Sequence, residues 1–190
     1  MFLFSHPNDV QIKAFLKERE SDSFSYLEVG ASRELSAPPG FDFDHNRQLL
    51  GHGDEDFEKA KQAIREWKMF DVPGIELFYT DTPIEPGHNV AMLASHLGFY
   101  SINSCRIVYV VDDPRQFGFA YGTLLEHVEI GEESFMVELH PDTGEVWYDI
   151  HAFSRPGHPL VKLGYPFGRY LQRQFARGSK ESMRRAVGSP

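Results

Sequence analysis

Hydrophobic spacing changes character several times along the chain. "NDVQIKAFLKERE" (8–20) gathers Val10, Ile12, Phe15 and Leu16 on one side of a short helix that Asn8 or Asp9 can cap. The next stretch, "SDSFSYLEVGASRELSAPPG" (21–40), is rich in Ser, Gly and Pro and reads as loop lying over the body. Phe24, Tyr26, Leu27 and Val29 are its expected anchors. "FDFDHNRQLLG" (41–51) has an extended, aromatic character and reads as a first strand. In "HGDEDFEKAKQAIREWKMF", helical spacing returns: Phe57, Ala60, Ile64 and Trp67 form one stripe. Asp54 is the expected cap, acids crowd the first turn where the dipole favours them, and Pro73-Gly74 ends the element.

From 75 to 153 the period switches to two. Six alternating segments, from "IELFYT" to "EVWYDIHAFS", are separated by "DTPIEPG", the region of Gly98, "DDP", a loop over 124–132, and "PDTG". Such short intervals require antiparallel neighbours, because a parallel crossover needs about a dozen residues or more. A last helix follows "SRPGHP", with Leu160, Leu163, Phe167, Leu171 and Phe175 on its apolar stripe and Arg169, Arg173 and Arg177 on another face. The expected fold is α+β: a curved antiparallel sheet of about seven strands wrapped around a long C-terminal helix. Residues 1–40 are expected as a helix-and-loop extension packed on the body, and 41–190 as the main domain.

The last hairpin can be registered from its loop. "PDTG" makes His140 face Glu145, so Leu139 meets Val146, Val137 meets Tyr148 and Phe135 meets Ile150 on the concave face. Glu138 with Trp147, Met136 with Asp149 and Ser134 with His151 fall on the convex side. In "FGFAYGT", Phe117, Phe119 and Tyr121 point inward, since burying each is worth about 1.5–3 kcal/mol, and Gly118, Ala120 and Gly122 allow close approach outside. Arg106 prefers solvent, which sends Cys105, Ile107 and Tyr109 inward. Tyr109, Tyr121 and Tyr148 are therefore expected to share the concave face, as polar points in an apolar cavity or as core tyrosines with satisfied hydroxyls.

Composition narrows the function classes. The formal charge of −9 over 190 residues argues against general nucleic-acid binding, and the single cysteine, Cys105, excludes an internal disulfide. No run approaches the ~18 apolar residues of a membrane span, and "MFLFSHPNDV" has no basic leader, so a cytoplasmic, soluble protein is expected. Charge is uneven: the segment from Arg155 onward carries +7 and the preceding residues −16. Its basic helix face, with Arg169, Arg173, Arg177 and Arg184, is either solvated or a surface for an anionic partner.

Candidate chemistry is sparse. Nine histidines occur without HxH, HExxH or CxxC spacing, so no metal site and no cofactor are expected. Cys105 lies in an apolar strand, where a thiol is an inert small hydrophobe more often than a nucleophile. Glu126 and His127, with Glu129 and Glu132 nearby, occupy the loop expected at the cavity rim; they read as acid–base candidates or as a solvated acidic connection. His151 belongs to the convex face, as a packing or surface residue.

Two stretches, "CRIVYVVDDPRQFGFAYGTLLEHVEIGEESFMVEL" and "GEVWYDIHAFSRPGHPLVKLGYPFGRYLQRQFAR", together with "FSYLEVGASRE" and "HNRQLLGHGDEDFEKAKQAIREWKMF", resemble the uncharacterised protein family UPF0548 (DUF1990 domain). The resemblance spans roughly residues 24 to 185 and implies a START-like, birch-pollen-allergen-type helix-grip fold. It implies no activity and no catalytic residue. Three functions remain in competition. The first is binding of a hydrophobic small molecule between sheet and last helix, lined by Tyr109, Tyr121, Tyr148, Phe119, Phe135, Phe167 and Leu171. The second is an enzyme using Tyr121 or His127 in that cavity. The third is an interaction protein using the basic helix face.

Overall fold

A computed structural model describes residues 2–78, 83–96, 98–125, 127–157 and 165–188, without the side chains of residues 96 and 165. Eight strands form one antiparallel sheet: β1 (Phe2–Leu3), β2 (Asp42–His52), β3 (Ile75–Phe78), β4 (Asn89–His96), β5 (Phe99–Asp113), β6 (Gln116–Thr123), β7 (Glu129–Leu139) and β8 (Glu145–Pro156). Their order is β2-β8-β7-β6-β5-β4-β3, and β1 pairs with β5 at Tyr100 and Ser101, beyond the reach of β6. The β7/β8 register is the one expected from "PDTG": Leu139 faces Val146, Val137 faces Tyr148 and Phe135 faces Ile150. The eighth strand, β1, is too short to show a period and was not expected.

Helix α1 (Asp9–Glu18) begins with a reciprocal cap, in which the Gln11 amide donates to Asn8 Oδ1 at 3.0 Å and the Asn8 amide donates to Gln11 Oε1 at 2.9 Å. It lies on the convex face of β4 and β5, burying Ile12 and Phe15 against Ala91, Leu93 and Ile102. Val10, expected on that stripe, is exposed. Helix α2 (Gly53–Arg65) lies on the concave face and buries Phe57, Ala60, Ala63 and Ile64. Asp54 is not its cap: the Asp56 carboxylate accepts the His52 amide at 3.0 Å.

The stripe expected to run through Trp67 as helix breaks one turn earlier. Trp67 has φ 57° and ψ 26°, among the described residues the one non-glycine at positive φ, and a 3-10 turn over Lys68–Phe70 follows. Left-handed backbone costs an L-residue roughly 1–2 kcal/mol. Burial of Trp67, Met69 and Phe70 offsets it, for all three insert into the concave space. Their rings meet those of the sheet: Trp67 lies 4.9 Å from Phe119, and Phe70 lies 5.3 Å from Phe135.

Helix α3 (Tyr165–Val187) crosses the concave side, packing on α2, the 3-10 turn and β2. Its buried residues are Ala176, Ser179, Ser182, Met183 and Val187; of the apolar stripe expected from spacing, Phe175 packs on the concave core. Phe167 is 52% exposed, its ring stacked on Tyr170, so it lines no cavity. Leu171 is half-buried, and Leu160 and Leu163 lie outside the described residues. Opposite Val72 the helix approaches closely enough to require a small residue: a Cβ at Gly178 would sit 2.7 Å from Val72 Cγ1. No helix of the described residues is long and apolar enough to cross a membrane.

Candidate functional site

Strand β7 carries two adjacent glutamates whose side chains leave opposite faces of the sheet. The strand begins at Glu129, inside the loop expected over 124–132, because β8 runs on to Pro156 and pairs back to Glu129. Glu132, on the convex face, is 2% exposed. Its carboxylate accepts from the Tyr26 hydroxyl at 2.6 Å, the Gly30 amide at 2.8 Å, the Ser32 amide at 3.0 Å and the Ser32 hydroxyl. Gly30 stands at φ 88°, the left-handed conformation that turns its amide and that of Ser32 toward one anion. The loop over 21–40 is thus fastened to the sheet by Tyr26 and Ser32, while Leu27 and Val29, expected as anchors, are exposed.

Tyr109 belongs to this convex network. Beside the pair Ile107–Tyr121 the ladder slips by one residue, and Tyr109 then faces Ala120. That bulge reverses the alternation, so Tyr109 packs with Ala120 and Met136 instead of joining Tyr121 and Tyr148 inside. Its hydroxyl shares a 2.9 Å hydrogen bond with Ser32 Oγ, and Arg33 stacks 3.9 Å over its ring. His151 is also convex, as expected, but buried under the loop, with Nε2 on the Ser32 carbonyl and its pKa lowered by burial. Gly122 makes the loop's approach possible, for a Cβ there would meet the Tyr26 hydroxyl and the Phe24 ring. Gly122→Ala should cost about 1–3 kcal/mol by overpacking and expose residues 22–33 to limited proteolysis before the body unfolds. Unchanged cleavage would show that the loop is held elsewhere.

The concave face has two halves. Toward the β7/β8 hairpin it is apolar and filled: Phe119, Phe135 and Tyr148 are each fully buried, under α2 and the 3-10 turn. Tyr148 is a core residue whose hydroxyl shares a 2.9 Å bond with Ser179 of α3. Toward the other end the wall turns polar. Tyr121 donates to Glu133 at 2.7 Å, directly across β6 and β7. Burial pushes the Glu133 carboxyl up to about 7, and burial with the Glu133 charge raises Tyr121 well above the ordinary phenol range. Glu129, four residues earlier on the same side, is likewise raised by burial to about 7.

Glu126, one rim candidate, lies outside the described residues. His127, the other, is half-buried, and burial lowers it to about 4. Its Nδ1 accepts the Glu129 amide at 3.0 Å, so Nε2 carries the proton, and that atom has no partner among the described residues. A group neutral down to that pH is a poor base at neutrality. Cys105 is buried and burial pushes its thiol far up, as an inert residue requires. Among the described residues no three His, Cys, Asp or Glu side chains could hold a metal. On the basic face, Arg169 is tied to Asp44 and Arg177 to Glu181, so only part of that stripe is free to meet another anion.

An open groove of about 700 Å³ lies beside the filled half, between β3, the 3-10 turn and the second half of α3. Trp67, Phe70, Val72, Ile75, Leu77 and Phe78 form its apolar walls, and Glu66, Asp71, Glu76, Glu181 and Arg185 its rim. Phe70 joins the groove to the polar end: its ring lies 6.1 Å from Tyr121 and 5.5 Å from Phe175. Sequence reasoning missed Phe70 and Glu133. The one available signal for Glu133 was its direct opposition to Tyr121, which extending the hairpin register into β6 would have exposed.

A family model, a domain of unknown function (DUF1990), matches residues 25–182. A UPF0548 protein of Dictyostelium discoideum is 35% identical over 209 residues, covering 100% of this chain and 97% of that protein. A UPF0548 protein of Arabidopsis thaliana is 37% identical over 158 residues, covering 79% of this chain and 75% of the relative. Among solved structures, protein Ms6760 from Mycobacterium smegmatis superposes with TM-score 0.54 at 11% identity, over 83% of this chain and 97% of that one. The sheet gripping one long helix is the helix-grip fold, and the chain belongs to the UPF0548 family, whose DUF1990 domain it carries.

Proposed function

We propose that this protein binds a hydrophobic or aromatic small molecule in the cleft between its sheet and C-terminal helix. The observation that carries the reading is the groove of about 700 Å³ whose apolar walls include Trp67 and Phe70. That volume falls in the usual range of ligand pockets, roughly 300–1,000 Å³, and aromatic walls with a few polar groups are their usual lining. The ligand space lies beside the 3-10 turn, not behind it, because Phe70 and Trp67 already fill the deep half. Tyr121 and Glu133 favour a second reading on the same cleft, proton transfer on the bound molecule, since a carboxyl near pKa 7 exchanges protons readily at neutral pH.

Titration with the apolar fluorophore N-phenyl-1-naphthylamine tests the binding reading. Leu77→Lys, in the groove wall, should weaken the probe about tenfold, whereas Val10→Lys, on the exposed side of α1, should leave it unchanged. Equal affinity in both variants would remove the groove as the site.

A further inference from the structure

The groove runs along a sheet edge as well as over a face. Ile75, Glu76, Leu77 and Phe78, four consecutive residues of β3, all line it. Consecutive strand residues point to opposite faces, and here Ile75 and Leu77 pack on the concave core while Phe78 packs with α1 on the convex side. A space that touches all four lies beside the strand. β3 also ends the strand order, with β4 as its one neighbour among the described residues.

The ladder to β4 fixes which backbone groups reach that space. The Ser95 amide donates to the Gly74 carbonyl at 2.8 Å, so Gly74, Glu76 and Phe78 are the residues bonded to β4 in this antiparallel pair. Ile75 and Leu77 therefore turn their backbone groups outward. The Ile75 amide is used locally, donating to the Val72 carbonyl at 3.0 Å. Left on the open edge is the Leu77 N–H, flanked by the Ile75 and Leu77 carbonyls. Trp67, Phe70 and Val72 supply apolar wall beside this edge, and four carboxylates, Glu66, Asp71, Glu76 and Glu181, line it against one guanidinium, Arg185. Lys68 comes no closer than 3.7 Å to Glu66 and Asp71, His6 lies 2.9 Å from Glu76 and Arg177 3.2 Å from Glu181. Pairs as exposed as these are worth little and leave the acids available.

We infer that β3 is a docking edge for an extended peptide of alternating apolar and basic residues. The peptide adds a strand about 4.8 Å beyond β3 and pairs its backbone with Ile75 and Leu77. Its apolar side chains enter the groove beside Trp67 and Phe70, and its basic ones meet the carboxylates of the lining. The inference rests on the groove as an apolar site and goes further, for it gives the apolar group an amide backbone. A second copy of the chain suits the edge less well, because pairing two β3 edges brings their carboxylates together.

Isothermal titration of the whole protein with the capped pentapeptide acetyl-KFKFK-amide tests this. The peptide should bind and displace N-phenyl-1-naphthylamine, and acetyl-EFEFE-amide should bind at least about tenfold more weakly. Edge pairing uses the amides of alternate residues only. N-methylation of the first and third residues should therefore differ from N-methylation of the second and fourth: one pattern should lose about tenfold or more, the other about twofold at most. Leu77→Pro removes the outward amide without removing a bond to β4, and should bind the peptide about tenfold more weakly than Leu77→Ala. The methylation series on the native chain gives the same answer without a variant. Equal losses from the two methylation patterns, or equal affinity for the glutamate peptide, overturns the docking edge. Probe binding that no peptide displaces also overturns it and leaves the groove standing, and a peptide-free dimer that Leu77→Pro dissociates gives the edge to a second copy instead. If neither probe nor peptide binds, both readings fall.

Discussion

Glu132→Ala should lower the stability of the fold by about 3–5 kcal/mol, measured as a fall in the urea midpoint at pH 7. The substitution strands the Gly30 and Ser32 amides and the Tyr26 hydroxyl, all of which now converge on one buried carboxylate. Each donor left without an acceptor inside costs about 1–3 kcal/mol, and charge-assisted bonds are the stronger kind. Tyr109 and His151, held through Ser32, lose their alignment with it. Glu133→Gln, one residue away, should stay within about 1 kcal/mol of the native chain at pH 7, since it gives up a single neutral donor. The pH dependence separates them further. A carboxyl whose folded pKa is raised to about 7 contributes stability below its unfolded value that is lost as pH rises through about 7. Glu129 has the same sign, so Glu133→Gln removes part of that decline. Equal losses in the two variants would sink the distinction between a fastening and an open acceptor.

Phe70→Ala carries the second large effect, about 3–5 kcal/mol, from lost transfer energy and the cavity left behind. The ring is 4% exposed and touches four others: Trp67 at 6.0 Å, Tyr121 at 6.1 Å, Phe135 at 5.3 Å and Phe175 at 5.5 Å. Because it also lines the groove, its removal enlarges that space toward Tyr121. Binding of N-phenyl-1-naphthylamine should therefore tighten severalfold while the urea midpoint falls. A midpoint shift without any change in probe affinity would mean that the groove and the polar end do not communicate.

The hairpin of β7 and β8 was legible because two local signals agree there: a four-residue turn sets the register, and alternation sets the face. Tyr109 shows where such reading stops. "CRIVYVV" alternates without a mark at Val108, and the slip that moves Tyr109 outside arises from how β5 is paired, not from its own residues. Trp67 is similar, since its spacing continues the α2 stripe. The chain leaves the helix there because three large side chains gain more by filling the concave space than by extending it. Phe167 has helical spacing too, but α3 buries Ala176, Ser179 and Met183 instead, with Gly178 against Val72.

The glutamates divide the matter most sharply. Read along the chain, Glu129, Glu132 and Glu133 are an acidic run beside glycine, which resembles a solvated loop. In the fold they are strand residues, Glu132 sealed by a distant loop and Glu133 on the concave face with Tyr121 as its donor. The sequence by itself determined the helix-grip architecture, the last hairpin and the inward turn of Tyr121, since each follows from periodicity and turn chemistry within a few residues. Only the tertiary structure decided which tyrosines are inside, what fills the concave space and which glutamate is sealed. A side chain's satisfaction depends on donors about a hundred residues away, and no local pattern encodes them.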